Sequence, residues 1–522
     1  MKKHIIHCGI TTPGKLEFAK QFSDKYGYGT DDHEFVSPEF LGEVPYFVHC
    51  IDLTHNRTVT NDAVTKYLPY IDKDHLQIAV DDILLKKVLP TAAQCINLIG
   101  RENSYDTNYT KLERLYLKSV GFWAAYLRHH QIELALFTSV PHGGENVILL
   151  ETCKALNIST YIFFDSLAAR IYVLKTIEQP LSQLITHYKD LCKKYVDFTM
   201  EQIPLEGEYG SIFEKMSNPN TDKTPDYMEK QLKDWEHILH FIAYSERCND
   251  LVRINRKSGN LKDVPLKVRI RAYEYEVAKL DFRLTGGLVL KSVLYLKYPS
   301  YRKDKYLRQY YKSLSVIPDF SKKYIYFPLH FQPECTSNPH GGGVYYQQMI
   351  PIRLIAESLP ENVFVYVKEH PAQFYGSGAR ETGLYDELST IPNVVLVDTD
   401  IDTYKLIENS MAVASLRGTA GFEGLFYGKP FIMFGYWVIQ HMPGVFHVRS
   451  KEEVKSALDA ILKGEYCFTL RDIKLFLKAM DETEGYYLGD LPQQNELDHQ
   501  IQTNMELFEQ AMGLPNTQEE VD

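Results

Sequence analysis

The stretch SLRGTAGFE at residues 415–423 combines residue types that can bind an anion. Gly418 and Gly421 bracket the start of a predicted helix, where backbone N–H groups are free to point at an anion and the helix dipole assists. Glu423 is expected in the first turn, where a carboxylate can accept hydrogen bonds from a ribose diol. A phosphate at the turn and a sugar hydroxyl at the glutamate describe a nucleotide sugar. The alternative is an ordinary N-capped helix, because glycine-rich turns are common.

A second polar group closes the apolar run at 363–370, which continues into Pro371. His370 can donate a ring N–H, neutral or protonated, to a leaving phosphate. Lys368 adds a positive charge on the same side of a pleated strand, because it lies two residues earlier. The alternative is a surface histidine without a chemical role. We expect His370 and the 415–421 turn to bind the same phosphate.

Both groups follow strands of a predicted α/β fold. Short apolar runs that alternate with amphipathic helices predict parallel sheets with crossover helices. The predicted strands are 4–10, 134–140, 160–166, 323–330, 363–370, 394–398, 412–416 and 431–435. Because ligands of such sheets bind beyond the carboxyl ends of the strands, the polar strand ends predict the site.

The length of 522 residues exceeds what one hydrophobic core usually serves. We predict an N-terminal Rossmann-like domain at 1–175 and a helical connector or insertion at 176–320. A second Rossmann-like domain is predicted at 321–480, followed by a helical tail at 481–522.

The amino-acid composition argues against several classes of function. The formal net charge of −11 argues against nucleic-acid binding, which needs a basic surface. The cysteines occur singly, without zinc-site spacing, which is typical of a reduced cytosolic protein. No apolar run reaches the ~18 residues of a membrane span, so we expect a cytoplasmic protein with at most peripheral membrane contact. The stretch 295–312 interleaves Lys and Arg with Tyr. It could rest on an anionic inner membrane surface, or be an amphipathic helix with packed tyrosines.

Three sequence runs between about residues 323 and 436 resemble the motifs of a known family. They are YFPLHFQPE, VYVKEHP and SLRGTAGFEGLFYGKPFIMFG. They resemble the bacterial capsular and surface polysaccharide biosynthesis glycosyltransferases, GT-B enzymes that use CMP-activated sugars such as Kdo. The N-terminal half resembles them more loosely, through FTSVPHGGENVILLETCKALNIST. The resemblance implies two Rossmann-like domains facing a cleft, with the nucleotide-sugar donor on the C-terminal domain and the acceptor and catalytic base on the N-terminal domain.

The resemblance also implies roles for single residues. His370 would contact the donor phosphate, and Glu423 would hold the ribose or base. Arg417 stands where a small residue is expected, and it either binds the donor carboxylate or phosphate or faces solvent. The donor-binding residues we predict are Glu334, Lys368, Ser415, Arg417, Gly418, Thr419, Gly421 and Glu423.

The general base is sought at the ends of the N-terminal strands. His142 and Glu145 follow the strand at 134–140, and Asp165 lies at the end of the strand at 160–166. Each could take the proton of an acceptor hydroxyl, and each could instead cap a helix or anchor a loop. Asp165 and Glu145 rank equally.

The run DTDIDT at 398–403 raises the question of a metal site, because closely spaced aspartates can hold a divalent cation. We favour Asp400 or Asp402 as the N-cap of the following helix, and expect neither a metal nor another cofactor.

The predicted function is a GT-B-like glycosyltransferase that moves a sugar from a nucleotide donor, CMP-linked and Kdo-like, to a surface glycan or glycolipid. One alternative is a sugar-nucleotide epimerase of the hydrolysing type. Others are a polyol-phosphate transferase with a CDP-linked donor and a non-catalytic subunit that binds glycan or nucleotide.

Overall fold

A computed structural model describes most of the chain. The residues it describes are 4–10, 12–27, 33–36, 80–102, 108–129, 131–218, 247–248, 250–257, 259–278, 293–332, 335–374, 380–489 and 494–513. Their strands are β1 (His4–Ile10), β2 (His33–Val36), β3 (Ile132–Phe137), β4 (Ser159–Asp165), β5 (Arg170–Leu174), β6 (Lys323–Pro328), β7 (Val363–Lys368), β8 (Val394–Val397), β9 (Ala412–Ser415), β10 (Phe431–Met433), β11 (Val445–His447) and β12 (Gly485–Tyr486).

Helices separate most of these strands. They are α1 (Pro13–Tyr26), α2 (Asp82–Glu102), α3 (Tyr109–His129), α4 (Gly144–Ala155), α5 (Ser182–Lys194), α6 (Gly207–Ser217), α7 (Leu266–Ala278), α8 (Val293–Leu314), α9 (Met349–Ser358), α10 (Thr382–Ser389), α11 (Thr403–Asn409), α12 (Thr419–Phe426), α13 (Lys451–Lys463), α14 (Leu470–Thr483) and α15 (Gln494–Met512). Short 3-10 helices lie at Leu261–Asp263, Gly343–Tyr346, Pro371–Phe374 and Val438–His441.

The strands form two six-stranded sheets. The first has the order β12-β5-β4-β3-β1-β2; its β4, β3, β1 and β2 pair in parallel, whereas β5 pairs antiparallel with both neighbours. The second has the order β11-β10-β9-β6-β7-β8, with parallel pairing of β10 with β11 and of β6 with β7 and β9. Two mainly parallel sheets with intervening helices confirm the predicted α/β class with two Rossmann-like sheets.

The predicted strands are confirmed, and most end one or two residues earlier than expected. β7, for example, ends at Lys368 rather than at His370. Its burial pattern is continuous rather than alternating, as expected for a parallel strand covered on both faces. The argument that Lys368 and His370 share one side of a pleat is therefore wrong, because the pleat does not extend beyond Lys368.

The chain divides into two compact units. One comprises Met1–Glu214, Glu334–Pro351 and Ala414–Asp522, and the other comprises Lys215–Pro333 and Ile352–Val413. These units are discontinuous in sequence, whereas the predicted domains are continuous segments; the boundaries at 175, 320 and 480 stay a prediction.

The core of the first unit lies between α1, the first sheet and the C-terminal helix α15. Leu497, Ile501, Met505 and Phe508 of α15 are all buried in it. Their spacing places them on one face of the helix, and the ring of Phe508 lies 4.6 Å from that of Phe22. The segment predicted as a helical tail thus contains a helix that contributes to this core.

In the second unit, α8 packs on the strands through Tyr311. This side chain is fully buried, and its hydroxyl donates to the backbone oxygen of Val397 at 2.7 Å. Nearby on the same helix, Lys312 pairs with Asp400 at 2.7 Å. Packed tyrosine and paired cation favour the amphipathic-helix interpretation of 295–312 for these residues. Across the described part of the chain, no helix has the length and hydropathy that crossing a membrane requires.

Candidate functional site

Two residues predicted from different motifs, Asp165 and Arg417, lie together in the first unit. Asp165 is the last residue of β4 and is half-buried where that strand ends. Arg417 follows β9, and its Nη2 donates to the backbone oxygen of Asp165 at 3.4 Å. A candidate base and a cation are therefore adjacent at strand ends, where an α/β sheet binds its ligands.

The guanidinium of Arg417 is held from several sides. Its Cζ lies 5.6 Å from the ring centre of Phe164 and 5.4 Å from that of Trp437, so aromatic faces stabilise the charge. Its Nη1 donates to Nδ1 of His340. Arg417 is only 8% exposed, so the alternative that it faces solvent is wrong.

The electrostatics of this group fit proton transfer. Burial raises the pKa of Asp165, while the positive charges of Arg417, Lys15 and His142 oppose the rise. A carboxylate with a raised pKa binds a proton more readily, which is what a general base needs. Burial, with the nearby charges of Arg417 and His142, holds the pKa of His340 well below its usual range, so His340 is neutral and can accept from Arg417.

Lys15 and His340 belong to this group, but sequence reasoning missed them. Lys15 is buried in the first turn of α1, its pKa is lowered by burial, and Asp165 opposes that shift. A cation in a first helical turn opposes the helix dipole, and this was the available signal. His340 precedes three glycines in the sequence HGGG, a conspicuous neighbourhood that could have been noticed.

The two other base candidates differ from each other. His142 is exposed, and its Nδ1 lies 3.0 Å from the backbone oxygen of Val140. Because a carbonyl only accepts, that Nδ1 carries a proton. Glu145 is buried in the first turn of α4. The charge of His142 acts on Asp165, and the choice of the base among Asp165, Glu145 and His142 stays a prediction.

The glycine-flanked turn at 415–421 leads into helix α12, and Glu423 lies further along that helix than predicted. The backbone N–H of Gly418 donates to Oγ of Ser415 at 3.1 Å, and Gly418 is the N-cap of α12. The exposed Thr419 is the first residue of the helix. The helix thus starts late enough to place the buried Glu423 beyond the first turn, so its predicted first-turn position is wrong.

Gly421 has a structural reason for being glycine. A Cβ at this position would lie 2.3 Å from the ring of Phe431 on β10. Close packing of α12 against β10 therefore accounts for Gly421 without any ligand.

His370 lies in the second unit, just past β7. The backbone N–H of Ala372 donates to its Nδ1 at 3.2 Å, and its own backbone N–H donates to Oε1 of Glu369 at 2.7 Å. Burial lowers the pKa of His370 to about 4, and the nearby Glu369 opposes that shift. The imidazole is therefore neutral at pH 7, with its proton on Nε2.

The ammonium group of Lys368 is bound within the loop that follows β8. Its Nζ donates to the backbone oxygen of Ile401 and, at 2.9 Å, to Oγ1 of Thr403. Burial lowers the pKa of Lys368 to about 8, and the nearby aspartates, led by Asp402, oppose the shift. Lys368 therefore ties the end of β7 to the start of α11.

Glu369, between these two residues, is the centre of a buried ion pair that sequence reasoning missed. Arg380 donates through Nε to its Oε2 at 2.9 Å and through Nη2 to its Oε1 at 3.1 Å. Tyr385 donates to the same Oε2 at 2.6 Å. This bidentate contact fixes the chain on both sides of His370.

Two remaining predictions concern Asp402 and Glu334. Asp402 is confirmed as the N-cap of α11, accepting from the backbone N–H of Tyr404 at 2.7 Å. Glu334 lies outside the described residues.

One segment of the chain matches a known protein family. Residues 342–459 match the family of capsule polysaccharide biosynthesis proteins. No curated protein matches the chain. Among solved structures, the beta Kdo 2,7 transferase KpsC of Thermosulfurimonas dismutans is 13% identical, with a TM-score of 0.23; the match covers 45% of this chain and 66%, just under two thirds, of that one.

Two further solved structures are similar at the same level. The beta Kdo 2,4 transferase of the same KpsC is 16% identical over 44% of this chain and 70% of that one, with a TM-score of 0.22. The UDP-GlcNAc 2-epimerase of Methanocaldococcus jannaschii is 10% identical over 92% of this chain and 99% of that one, with a TM-score of 0.26. The match to capsule polysaccharide biosynthesis proteins covers residues 342–459, less than a quarter of the chain, and overlaps the motifs whose resemblance was noted in the sequence.

Proposed function

We propose that this protein is a glycosyltransferase that moves a sugar from a CMP-linked, Kdo-like donor to a capsular or surface glycan or glycolipid. The family match at 342–459 supports a role in capsule polysaccharide biosynthesis, and the glycosyltransferase class is part of the proposal. The nucleotide, the sugar and the acceptor are parts of the proposal.

The observation that carries the proposal is the half-buried Asp165 carboxylate beside the Arg417 guanidinium. Asp165 takes the proton of the acceptor hydroxyl as that oxygen bonds to the anomeric carbon of the donor. The bond from the anomeric carbon to the phosphate oxygen breaks, and its electron pair leaves with the nucleotide. Arg417 provides a fixed positive charge for a carboxylate or phosphate of the bound sugar nucleotide.

The leaving phosphate gains negative charge as this bond breaks, and pre-oriented donors stabilise that charge. The start of α12 provides backbone N–H groups, beginning at Thr419, together with the positive end of the helix dipole. In the proposal His370 donates its Nε2–H to the donor phosphate. The tautomer that the Ala372 contact selects is the one that this role requires.

A ligand-binding panel tests the donor assignment. Thermal unfolding is followed with CMP, CDP, UDP and GDP, and a nucleotide present at 100 times its Kd stabilises the folded state by about 2.7 kcal/mol. We expect CMP to raise Tm most. A clear preference for CDP would instead favour polyol-phosphate transfer.

A turnover assay separates the remaining functions. CMP-Kdo is incubated with the purified protein, with and without a Kdo-terminated oligosaccharide acceptor, and the products are resolved by mass spectrometry. We expect CMP release coupled to acceptor extension. An altered free sugar in the absence of acceptor would indicate a hydrolysing epimerase, and donor binding without any turnover would indicate a non-catalytic subunit.

A further inference from the structure

We propose that the described residues 250–257 and 259–273 of the second unit form a docking surface for an anionic lipid bilayer. The proposal deepens the proposed function, because it places the enzyme at the membrane where a lipid-linked acceptor would be found. It rests on an exposed apolar face, on the local charge, and on the contrast with helix α8.

The apolar face is formed by two helical stretches. In α7, Leu266, Ile270 and Tyr273 follow the spacing of one helix face and are 64%, 50% and 71% exposed. In the helical stretch at 250–257, Leu251 and Ile254 are 44% and 61% exposed. Large apolar side chains that are exposed at helical spacing are typical of a surface that binds another apolar phase.

These stretches also have an inward face, so the exposure is not that of an unpacked chain. Val264, between the two stretches, and Ala272 of α7 are each 3% exposed. The segment is folded against its own unit on one side and presents the apolar residues on the other.

The positive charge of the segment indicates an anionic partner. From 250 to 273 the sequence has seven Lys and Arg residues and two acidic residues, in a chain whose formal net charge is −11. The exposed cations among the apolar residues are Arg256, Lys257, Lys262 and Lys267, whereas Arg253 pairs with Asp250 at 3.4 Å. A basic amphipathic surface of this kind lies in the interface of an anionic membrane, with aliphatic and tyrosine side chains in the acyl boundary and cations at the headgroups.

The rest of the chain favours this location over the stretch at 295–312. There, Tyr311 is buried, and Lys312 and Arg308 both face Asp400 at 2.7 and 4.0 Å. Because the remaining chain is strongly acidic, an anionic bilayer repels it as a whole and attracts the docking surface, which sets the orientation of docking.

The test measures co-sedimentation of the full chain with vesicles of phosphatidylcholine alone and with 30% phosphatidylglycerol. We expect binding to the anionic vesicles that weakens with added salt, and little binding to neutral ones. Leu266→Glu/Ile270→Glu should weaken binding at least tenfold, and Lys262→Glu/Lys267→Glu should weaken it and reduce the salt dependence. Ile317→Glu, at an 80% exposed position outside the surface, is the matched control and should bind like the unchanged protein.

Equal binding by all variants, or no binding to anionic vesicles, would overturn the proposal. A dimer seen by sedimentation velocity and lost in Ile270→Glu would assign the face to a second copy of the chain, and binding to polyglutamate without vesicle binding would assign it to an acidic protein. Each of these outcomes overturns lipid docking. Transfer to a water-soluble acceptor should be unchanged in all docking variants, so loss of the proposed activity and loss of docking are distinguishable.

Discussion

The backbone N–H of Ala372 donates to Nδ1 of His370 at 3.2 Å. This contact occupies the lone pair of one ring nitrogen and leaves the other, Nε2, to carry the proton of the neutral ring. Since burial lowers the pKa of His370 to about 4, the ring is a neutral N–H donor across the physiological range. Sequence reasoning left the neutral and protonated forms open, and the structure favours the neutral one.

Two substitutions at His370 separate the roles of its nitrogens. His370→Asn keeps an acceptor near the position of Nδ1 but has no donor at Nε2, whereas His370→Gln places an amide N–H near Nε2. We expect the asparagine variant to lose at least a hundredfold in kcat, the effect of removing one oxyanion donor worth about 2.7–4 kcal/mol, and the glutamine variant to lose clearly less. Near-normal kcat in the asparagine variant would remove His370 from the mechanism.

The buried pair of Glu369 and Arg380 should dominate the local stability around His370. Glu369→Gln leaves the Arg380 charge buried without its partner, and we expect a loss of about 3–5 kcal/mol in the free energy of unfolding. Asp190→Asn, in the exposed pair with Lys193, is the control and should leave the urea midpoint unchanged. Equal midpoints for both variants would contradict this account of Glu369.

Gly421 should tolerate no side chain. The Cβ of Gly421→Ala would overlap the ring of Phe431, and we expect a destabilisation of about 1–3 kcal/mol. Gly383→Ala is the control, because its Cβ would have no neighbour closer than 4.0 Å in α10. That variant should be stabilised by about 0.4–1 kcal/mol, as measured by urea unfolding. A neutral result at Gly421 would show that α12 can move away from β10.

Glu484 should make stability depend on pH. Its carboxylate accepts from Ser166, next to Asp165, and from Tyr209, and burial raises its pKa to about 8. Because this pKa is above the unfolded value of 4.5, the stabilisation is complete below about pH 4.5 and is lost as pH rises through 8.

Glu484→Gln should therefore flatten the profile of unfolding free energy between pH 5 and 8.5, which in the unchanged protein falls by several kcal/mol, on the order of 1.4 per pKa unit. Urea unfolding at several pH values measures this. Glu482→Gln is the neighbouring control, since hydrogen bonds from Lys478 and His187 lower the pKa of Glu482 against the effect of burial. Parallel profiles for the unchanged protein and Glu484→Gln would contradict the assignment.

The sequence predicted the strands well because each buried parallel strand is a continuous apolar run bounded by polar residues. It missed β2, β5, β11 and β12. Of these, β12 has two residues and β11 is only half-buried, so neither carries a strong pattern. The predicted strands extend too far towards the C-terminus, because the sequence does not distinguish the last paired residue from a polar residue that follows it.

The site was predicted in part. Asp165 and Arg417 were predicted because a polar residue at the end of a strand indicates a possible site even when its tertiary contacts are unknown. The roles of Lys15 and His340 depend on contacts with residues far along the chain, which no local pattern encodes. The structural role of Glu369 was not predicted, because a buried ion pair and a solvent-exposed one consist of the same residue types.

The most direct test is the transfer rate of Asp165→Asn with CMP-Kdo and a Kdo-terminated acceptor. The account predicts that kcat falls at least a hundredfold, as expected for loss of a general base, while KM for the donor changes little and far-UV circular dichroism is unchanged. It also predicts that kcat of the unchanged protein rises with pH through the raised pKa of Asp165 and then levels off. A folded Asp165→Asn variant that transfers sugar at the normal rate would contradict it.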